Sequence, residues 1–288
     1  MPSVTVEGVY DLHIHSGPDI FERIGDDAQI AEMCRNAGMA GVLFKCHHES
    51  TVSRAYHVRR RVENIGVYGG IVLNRFVGGI YPQSVEAALR TGAKMVWMPT
   101  VDSAFHARMY GSTGTYGSFQ DSALSQRSEG ISVLGENGKL IPQVSSVLEL
   151  VARHGAAVAT AHISPEEMDL FVPAAVEVGC KKIVITHVNF EKHRLPLEKV
   201  KEYVRMGAVA EFCTSSPLGG YFGPEESKAW MEALGPGNCF ISSDSGTPRK
   251  AFPPEAMRVF LYCLAALGMP MRDLEVMTKE NPRRLIEG

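Results

Sequence analysis

The feature that most constrains this chain is an alternation. Short β-branched, apolar runs recur eight times, and each is followed by a stretch of helical period. The runs read as strands at 8–15, 41–46, 67–73, 94–100, 157–163, 182–188, 208–214 and 238–243. Helices are expected near 26–37, 51–63, 82–91, 143–154, 165–178, 196–206, 224–234 and 254–267. "SPEEMD" at 164–169 offers a capping Ser, a Pro in the first turn and early acids. "NAGMAG", "RTGAK", "RHGAA", "EVGCKK" and "RMGAV" each set a glycine just past a helix and just before a strand. Eight strand–helix units in about 250 residues match the size and rhythm of a (β/α)8 barrel. Near-continuous apolar strands such as "KIVIT" suit a parallel sheet buried on both faces. An open doubly wound sheet shares the local rhythm and is the alternative. No linker divides the chain, so residues 1–288 read as one domain.

Composition narrows the class. With 288 residues, 45% of them apolar, the chain can bury a full core. The net charge of -3 is spread along the sequence, with no basic stripe for nucleic acid and no polybasic anchor for a membrane. The N-terminus lacks the layout of a signal peptide. No apolar stretch approaches the roughly 18 to 20 residues that span a bilayer. The six cysteines are scattered, without a CxxC pair, and read as buried thiols of a cytoplasmic protein. Self-association is open to such a barrel, though no patch in the sequence marks a homo-oligomer.

One segment breaks the rhythm. Residues 101–141 are rich in Gly, Ser and Thr ("YGSTGTYGSFQDSALSQ") and then give "ISVLGENGKLIP", which reads as a hairpin turning at Glu136, Asn137 and Gly138. An insertion this long after the fourth strand is expected to act as a lid. "GSTGTYG" is not a phosphate loop, because it lacks the GK[ST] ending and a clear following helix.

The chemistry gathers at strand ends. In "VYDLHIHSGPD" the side chains of Asp11, His13 and His15 alternate onto one strand face. Two imidazoles on one rigid strand form half of a metal site. "VATAHIS" sets His162 at the end of the fifth strand, "IVITHVN" His187 at the end of the sixth, and "FISSDSG" Asp244 at the end of the eighth. The C-terminal strand ends form the mouth where barrel active sites lie. Buried histidines and aspartates need partners or a ligand, since leaving them bare costs on the order of several kcal/mol. The bland alternative is a set of unrelated, satisfied core residues.

HxH on strand one, His on strands five and six, and Asp on strand eight together resemble the amidohydrolase superfamily of metal-dependent hydrolases with the TIM-barrel fold. The ending "TKENPRRLIEG" resembles its closing helix segment. The resemblance implies that His13, His15 and Asp244 hold one divalent metal. It implies that His162 and His187 hold a second, or that one of them contacts substrate. Asp244 would also take a proton from the metal-bound water and pass it to the leaving group. A divalent ion lowers the pKa of bound water towards ~7 and polarises a carbonyl or phosphoryl oxygen. The mixed ligand set suits zinc foremost, and also manganese, iron or nickel. The implied reaction is attack of metal-bound hydroxide on an amide, cyclic amide, ester or lactone of a small molecule. A metal-dependent decarboxylase or C–C hydrolase is the second reading, and phosphoester hydrolysis the third. A non-catalytic metal- or ligand-binding barrel is the rival of another class. Asp244 speaks against it, because a binding module needs no proton relay.

The pattern departs from the superfamily in one respect. Many two-metal members carry a lysine at the end of strand four, carboxylated to bridge the ions. Here that strand ends "VWMPTVDS", and Lys94 stands at its start. Lys45 instead ends strand two in "GVLFKCHHES". It is either a bridging carbamate or an unmodified amine that pairs with Asp244 or an anionic substrate. Of the adjacent His47 and His48, at most one is expected at the mouth. His57, His106, His154 and His193 fall in helices or loops and default to solvated or capping roles. His193 and Arg194 after strand six, and Arg75 after strand three, lie in mouth loops and are candidates for substrate binding. Asn74 is expected to shape its loop, Asp102 to support the site, and Glu211 to pair internally within strand seven.

Overall fold

The computed structural model describes residues 4–114, 128–190, 195–248 and 250–288. Eight strands form one sheet in sequence order: β1 (Tyr10–Ile14), β2 (Gly41–Phe44), β3 (Gly66–Val72), β4 (Met95–Trp97), β5 (Ala157–Ala159), β6 (Ile183–Ile185), β7 (Ala208–Cys213) and β8 (Cys239–Ser242). Every neighbouring pair is parallel. The last strand returns to the first, where Asp244 N–H donates to His13 O (2.9 Å) and His15 N–H to Ser245 O (2.9 Å). The architecture is a (β/α)8 barrel, and the open doubly wound alternative is excluded by that closure.

Helices separate the strands: α1 (Asp27–Asn36), α2 (Val52–Arg59), α3 (Pro82–Arg90), α4 (Ala104–Tyr110), α5 (Pro142–His154), α6 (Pro165–Glu177), α7 (Leu197–Arg205), α8 (Ser215–Leu218), α9 (Pro224–Leu234) and α10 (Pro253–Ala266), with α11 (Met271–Glu275) and α12 (Asn281–Glu287) closing the chain. Covered on both faces, the strands are buried almost throughout, which is why their sequences lack polar alternation. Trp97, Phe44, Phe212 and Phe240 are among the largest fully buried side chains, all on strands. The glycines expected to stop helices, Gly38, Gly92, Gly155, Gly179 and Gly207, all adopt positive φ. Ser164 caps α6 through a capping box with Glu167. Among the described residues no helix is long and apolar enough to cross a membrane.

Two features differ from the expectations. β4, β5 and β6 hold three residues each, shorter than their apolar runs. The chain leaves the sheet early because it bends just past the strands, with φ of 50° at Ala161 and 32° at His187. Second, the segment after β4 begins as helix α4, capped by Ser103, whose Oγ accepts from His106 N. Further on, Leu134 and Leu140 form an antiparallel bridge, and Gly135 N–H donates to Lys139 O. Glu167 Oε1 accepts from Val133 N (2.9 Å) and Ser132 Oγ (2.7 Å), tying this turn to the start of α6. Much of the stretch expected to form a lid, residues 115–127, lies outside the described residues.

Candidate metal centre

The site is built where β1 and β8 meet. Ser243 N–H and His13 N–H both donate to Asp11 Oδ1, so Asp11 stitches the two strands together. Past β8 the chain must pass close to His15. Gly246 (φ 125°) makes this possible, since a Cβ there would sit 1.8 Å from His15 O. Asp244 itself holds φ of 51°. With Ala161 and His187, three of the positive-φ residues other than glycine flank this one mouth. Such strain persists where the surroundings over-determine it, and it concentrates at functional sites.

His13 Nε2 lies 3.2 Å and His15 Nε2 3.5 Å from Asp244 Oδ1. Lys45 Nζ lies 3.0 Å from His13 Nε2 and 5.4 Å from the centroid of the Trp97 ring. On its far side, His13 Nδ1 lies 3.2 Å from Glu211 Oε1. A carboxylate only accepts, so this contact assigns the proton to Nδ1 and leaves the Nε2 lone pair facing Asp244. Two acceptors facing each other at that distance need a positive neighbour, a place that Lys45 Nζ takes at 3.0 Å from His13 Nε2 and that a bound cation would share. Burial raises Asp244, but His13 and His15 outweigh it and hold the carboxyl well below its usual range. Burial, with Arg23 nearby, drives His15 down to about 3, so its imidazole is neutral and able to ligate. Burial also lowers Lys45, against the pull of Asp244 and Glu211.

The second pair sits alongside. His162 Nε2 and His187 Nε2 are 3.1 Å apart, and the rings of His13 and His187 are 6.1 Å apart. His162 Nδ1 lies 3.3 Å from Nδ1 of His106, a fully buried residue of α4 stacked on Tyr110. Glu211 links the two halves: its Oε2 accepts from the backbone N–H of His187 (3.1 Å). His47 stacks on His15 at 4.7 Å, its Nδ1 2.8 Å from Thr100 Oγ1, and Asn74 holds both by donating to His47 O and to Thr100 Oγ1.

A cavity of about 200 Å³ opens over these groups. Its walls include His13, His15, Lys45, His47, His162, His187 and Asp244, joined by Phe21, Arg23, Phe190 and Lys250 from the surrounding loops. Three groups of described residues have ligand atoms close enough for one ion: His13, His15 and Asp244; His13, Glu211 and Cys213; and Asp19, Cys46 and His48. The second would use the His13 nitrogen already bonded to Glu211. In the third, Asp19 Oδ2 is taken by the Arg23 guanidinium at 2.8 Å. The first group alone is aimed into the cavity, and its two imidazoles and one carboxylate fit a divalent ion.

The structure thus brings His13, His15, Lys45, His162, His187 and Asp244 to one mouth. It does not bring Arg75 there. That guanidinium pairs with Asp102 Oδ1 (3.3 Å) and donates to Thr113 Oγ1 (3.2 Å), outside the cavity wall. Asp102 is spent on this arginine, also accepting from its backbone N–H. His193 and Arg194 lie outside the described residues. Sequence reasoning expected Glu211 to pair internally, as it does with His13, but not at the site, and it missed Arg23 and the burial of His106. For Glu211 a signal existed: an acid inside the apolar run "AVAEFC" needs a partner.

A closed parallel barrel with histidines and an aspartate converging at its C-terminal mouth defines the class of fold. The chain belongs to a family of unknown function, DUF6282, whose profile matches residues 8–211. No curated protein matches it. Among solved structures it is similar to an amidohydrolase from Pseudomonas aeruginosa (TM-score 0.64, 13% identity, 98% of this chain and 97% of that one). It is also similar to the phosphotriesterase homology protein of Escherichia coli, complexed with phosphate in its active site (0.61, 15%, 97% and 98%). A third is the β-aspartyl dipeptidase of Fervidobacterium islandicum AW-1 (0.64, 12%, 98% and 73%). At these identities the likeness is one of fold, and it is the (β/α)8 barrel expected from the sequence.

Proposed function

We propose that the protein is a metal-dependent hydrolase that cleaves an amide, cyclic amide, ester or lactone of a small molecule. The observation that carries this reading is the convergence of His13 Nε2, His15 Nε2 and Asp244 Oδ1 within ligand reach of one another at the cavity floor. The similar solved structures named as an amidohydrolase and a dipeptidase support it. In this reading His13, His15 and Asp244 hold one divalent ion, zinc foremost, and His162 and His187 hold a second or face the substrate. When bound, such an ion acidifies a water and polarises the carbonyl under attack. Asp244 would be the carboxylate that takes up a proton at this place and delivers it to the leaving group. Ser215 Oγ donates to Asp244 Oδ2 (3.0 Å), fixing the carboxylate for both tasks. Glu211 keeps the His13 lone pair turned to the cavity. Lys45, with Nζ beside His13, would join the ligand set as a carbamate or, unmodified, neutralise Asp244. Phe21 and Phe190 supply apolar walls for a small substrate. All six cysteines are unpaired, in keeping with work in the reducing cytoplasm.

The test is metal content. Purified wild-type protein should carry stoichiometric metal and turn over members of an amide, ester and lactone panel. His13→Ala with His15→Ala should remove the metal while circular dichroism still shows a folded barrel. Unchanged metal content in that variant removes the reading, and bound metal without turnover across the panel revives a binding module.

A further inference from the structure

The loop between β1 and α1 carries a guanidinium that neither the metal ligation nor the proton relay uses. Arg23 lines the cavity beside His15, with Nη2 3.5 Å from His15 Nδ1. Its side chain is more than nine-tenths buried, and it is built in rather than draped over the surface. Nε and Nη2 both donate to Asp19 Oδ2, at 2.9 and 2.8 Å. The Asp19 side chain is fully buried, and its other oxygen accepts from Phe21 N–H (3.1 Å) and faces His48 Nδ1 (3.2 Å). Phe21 packs its ring 5.6 Å from the guanidinium carbon. The loop itself is pinched shut by Gly17 N–H to Gly25 O (2.8 Å) and fastened to the β8 loop by Ile24 N–H to Gly246 O (3.1 Å). Arg54 braces its ends by donating to Ser16 O, Pro18 O and Asp27.

Asp19 occupies one edge of the fork. Nη1 makes no hydrogen bond to any described residue. Nη2 also reaches His15 Nδ1, so the two N–H groups of Nη1 are the ones left, and the held plane presents them in a fixed direction that suits an anionic oxygen group. Lys250, on the loop after β8, lines the same cavity and adds positive charge. We infer that the substrate carries an anionic oxygen group, a carboxylate or a phosphate, gripped by Arg23 at the cavity wall beside His15. The inference rests on the metal-hydrolase reading of this cavity and names the class of molecule it takes. The scissile bond would then lie within one short linker of the anionic group, since Arg23 and His15 are neighbours.

The experiment titrates full-length protein with inorganic phosphate and with glutarate, in metal-loaded and chelator-treated forms. The two probes separate a phosphate from a carboxylate, and the chelated form removes direct binding to the ion. Wild-type protein should bind at least one probe in both forms. Arg23→Gln should weaken that binding about tenfold or more, the scale of lost charge-assisted hydrogen bonds, with metal content unchanged. Arg23→Lys keeps the charge and should still bind several-fold less tightly, because one ammonium cannot hold Asp19 and an anion as a fork does. Equal affinity in Arg23→Gln overturns the inference, as does absence of binding to chelated wild type. Loss of metal from both Arg23 variants overturns it too, since Arg23 would then serve His15 alone. A wild-type protein without metal defeats the hydrolase reading by a separate assay.

Discussion

Glu211 is the residue on which the two halves of the site depend. One oxygen meets the His13 ring and the other the backbone of His187. Carboxylates placed behind metal-binding imidazoles set tautomer and direction, and losing one typically costs about 10- to 100-fold in metal affinity. Glu211→Gln should therefore weaken metal binding on that scale while the barrel still folds. Unaltered affinity, measured by competition with a chromophoric chelator, would reduce Glu211 to a filler of the core. Asp244 separates two jobs in another way. Asp244→Asn should retain much of the metal through its amide oxygen, yet lose turnover by about 100-fold or more, as expected when a general base is removed. If added metal restores the rate, Asp244 is a ligand only. Near-full activity at ambient metal would place it outside the chemistry. The residues that meet at the mouth were legible in the sequence because each ends an apolar run that has no other use for a charge. The supporting residues were not. His106 reads as an ordinary helical histidine, and its buried contact with His162 arises from the path of the chain after β4, which no local pattern encodes.

At the scale of elements, the eight alternations and the five helix-stopping glycines carried the architecture. The ends of β5 and β6 were misplaced because a run such as "VATAHIS" stays apolar after the backbone has turned. The segment after β4 shows the same limit. Its Gly/Ser/Thr composition suggested a loop from the outset, but Ser103 starts α4, and α4 delivers His106 beneath His162. A deletion that tests the lid must spare that helix. Removing 115–127 alone should raise KM or lower kcat several-fold and leave the melting temperature within a few degrees. A large drop in melting temperature with unimpaired turnover would identify a structural clasp instead.

For the molecule as a whole, ligation at the barrel's mouth should act as a stabilising load on the folded state. Metal at a thousandfold excess over its dissociation constant adds about 4 kcal/mol to unfolding. Thermal melts of chelated and reloaded protein should differ by roughly 10 °C on that figure. His13→Ala with His15→Ala should erase the difference, and coincident melts of loaded and chelated wild type would mean the ion is not held by the folded barrel.

The junction of β1 with β8 has a consequence for how such a molecule comes into being. His13 and Asp244 stand at opposite ends of the chain yet touch through both backbone and side chain. No N-terminal fragment that stops short of residue 244 contains the proposed three-ligand set. On the proposed reading, a chain emerging from a ribosome lacks the complete ligand set until its final sixth is made. Completion of the three-ligand set and closure of the ring would then be a single event.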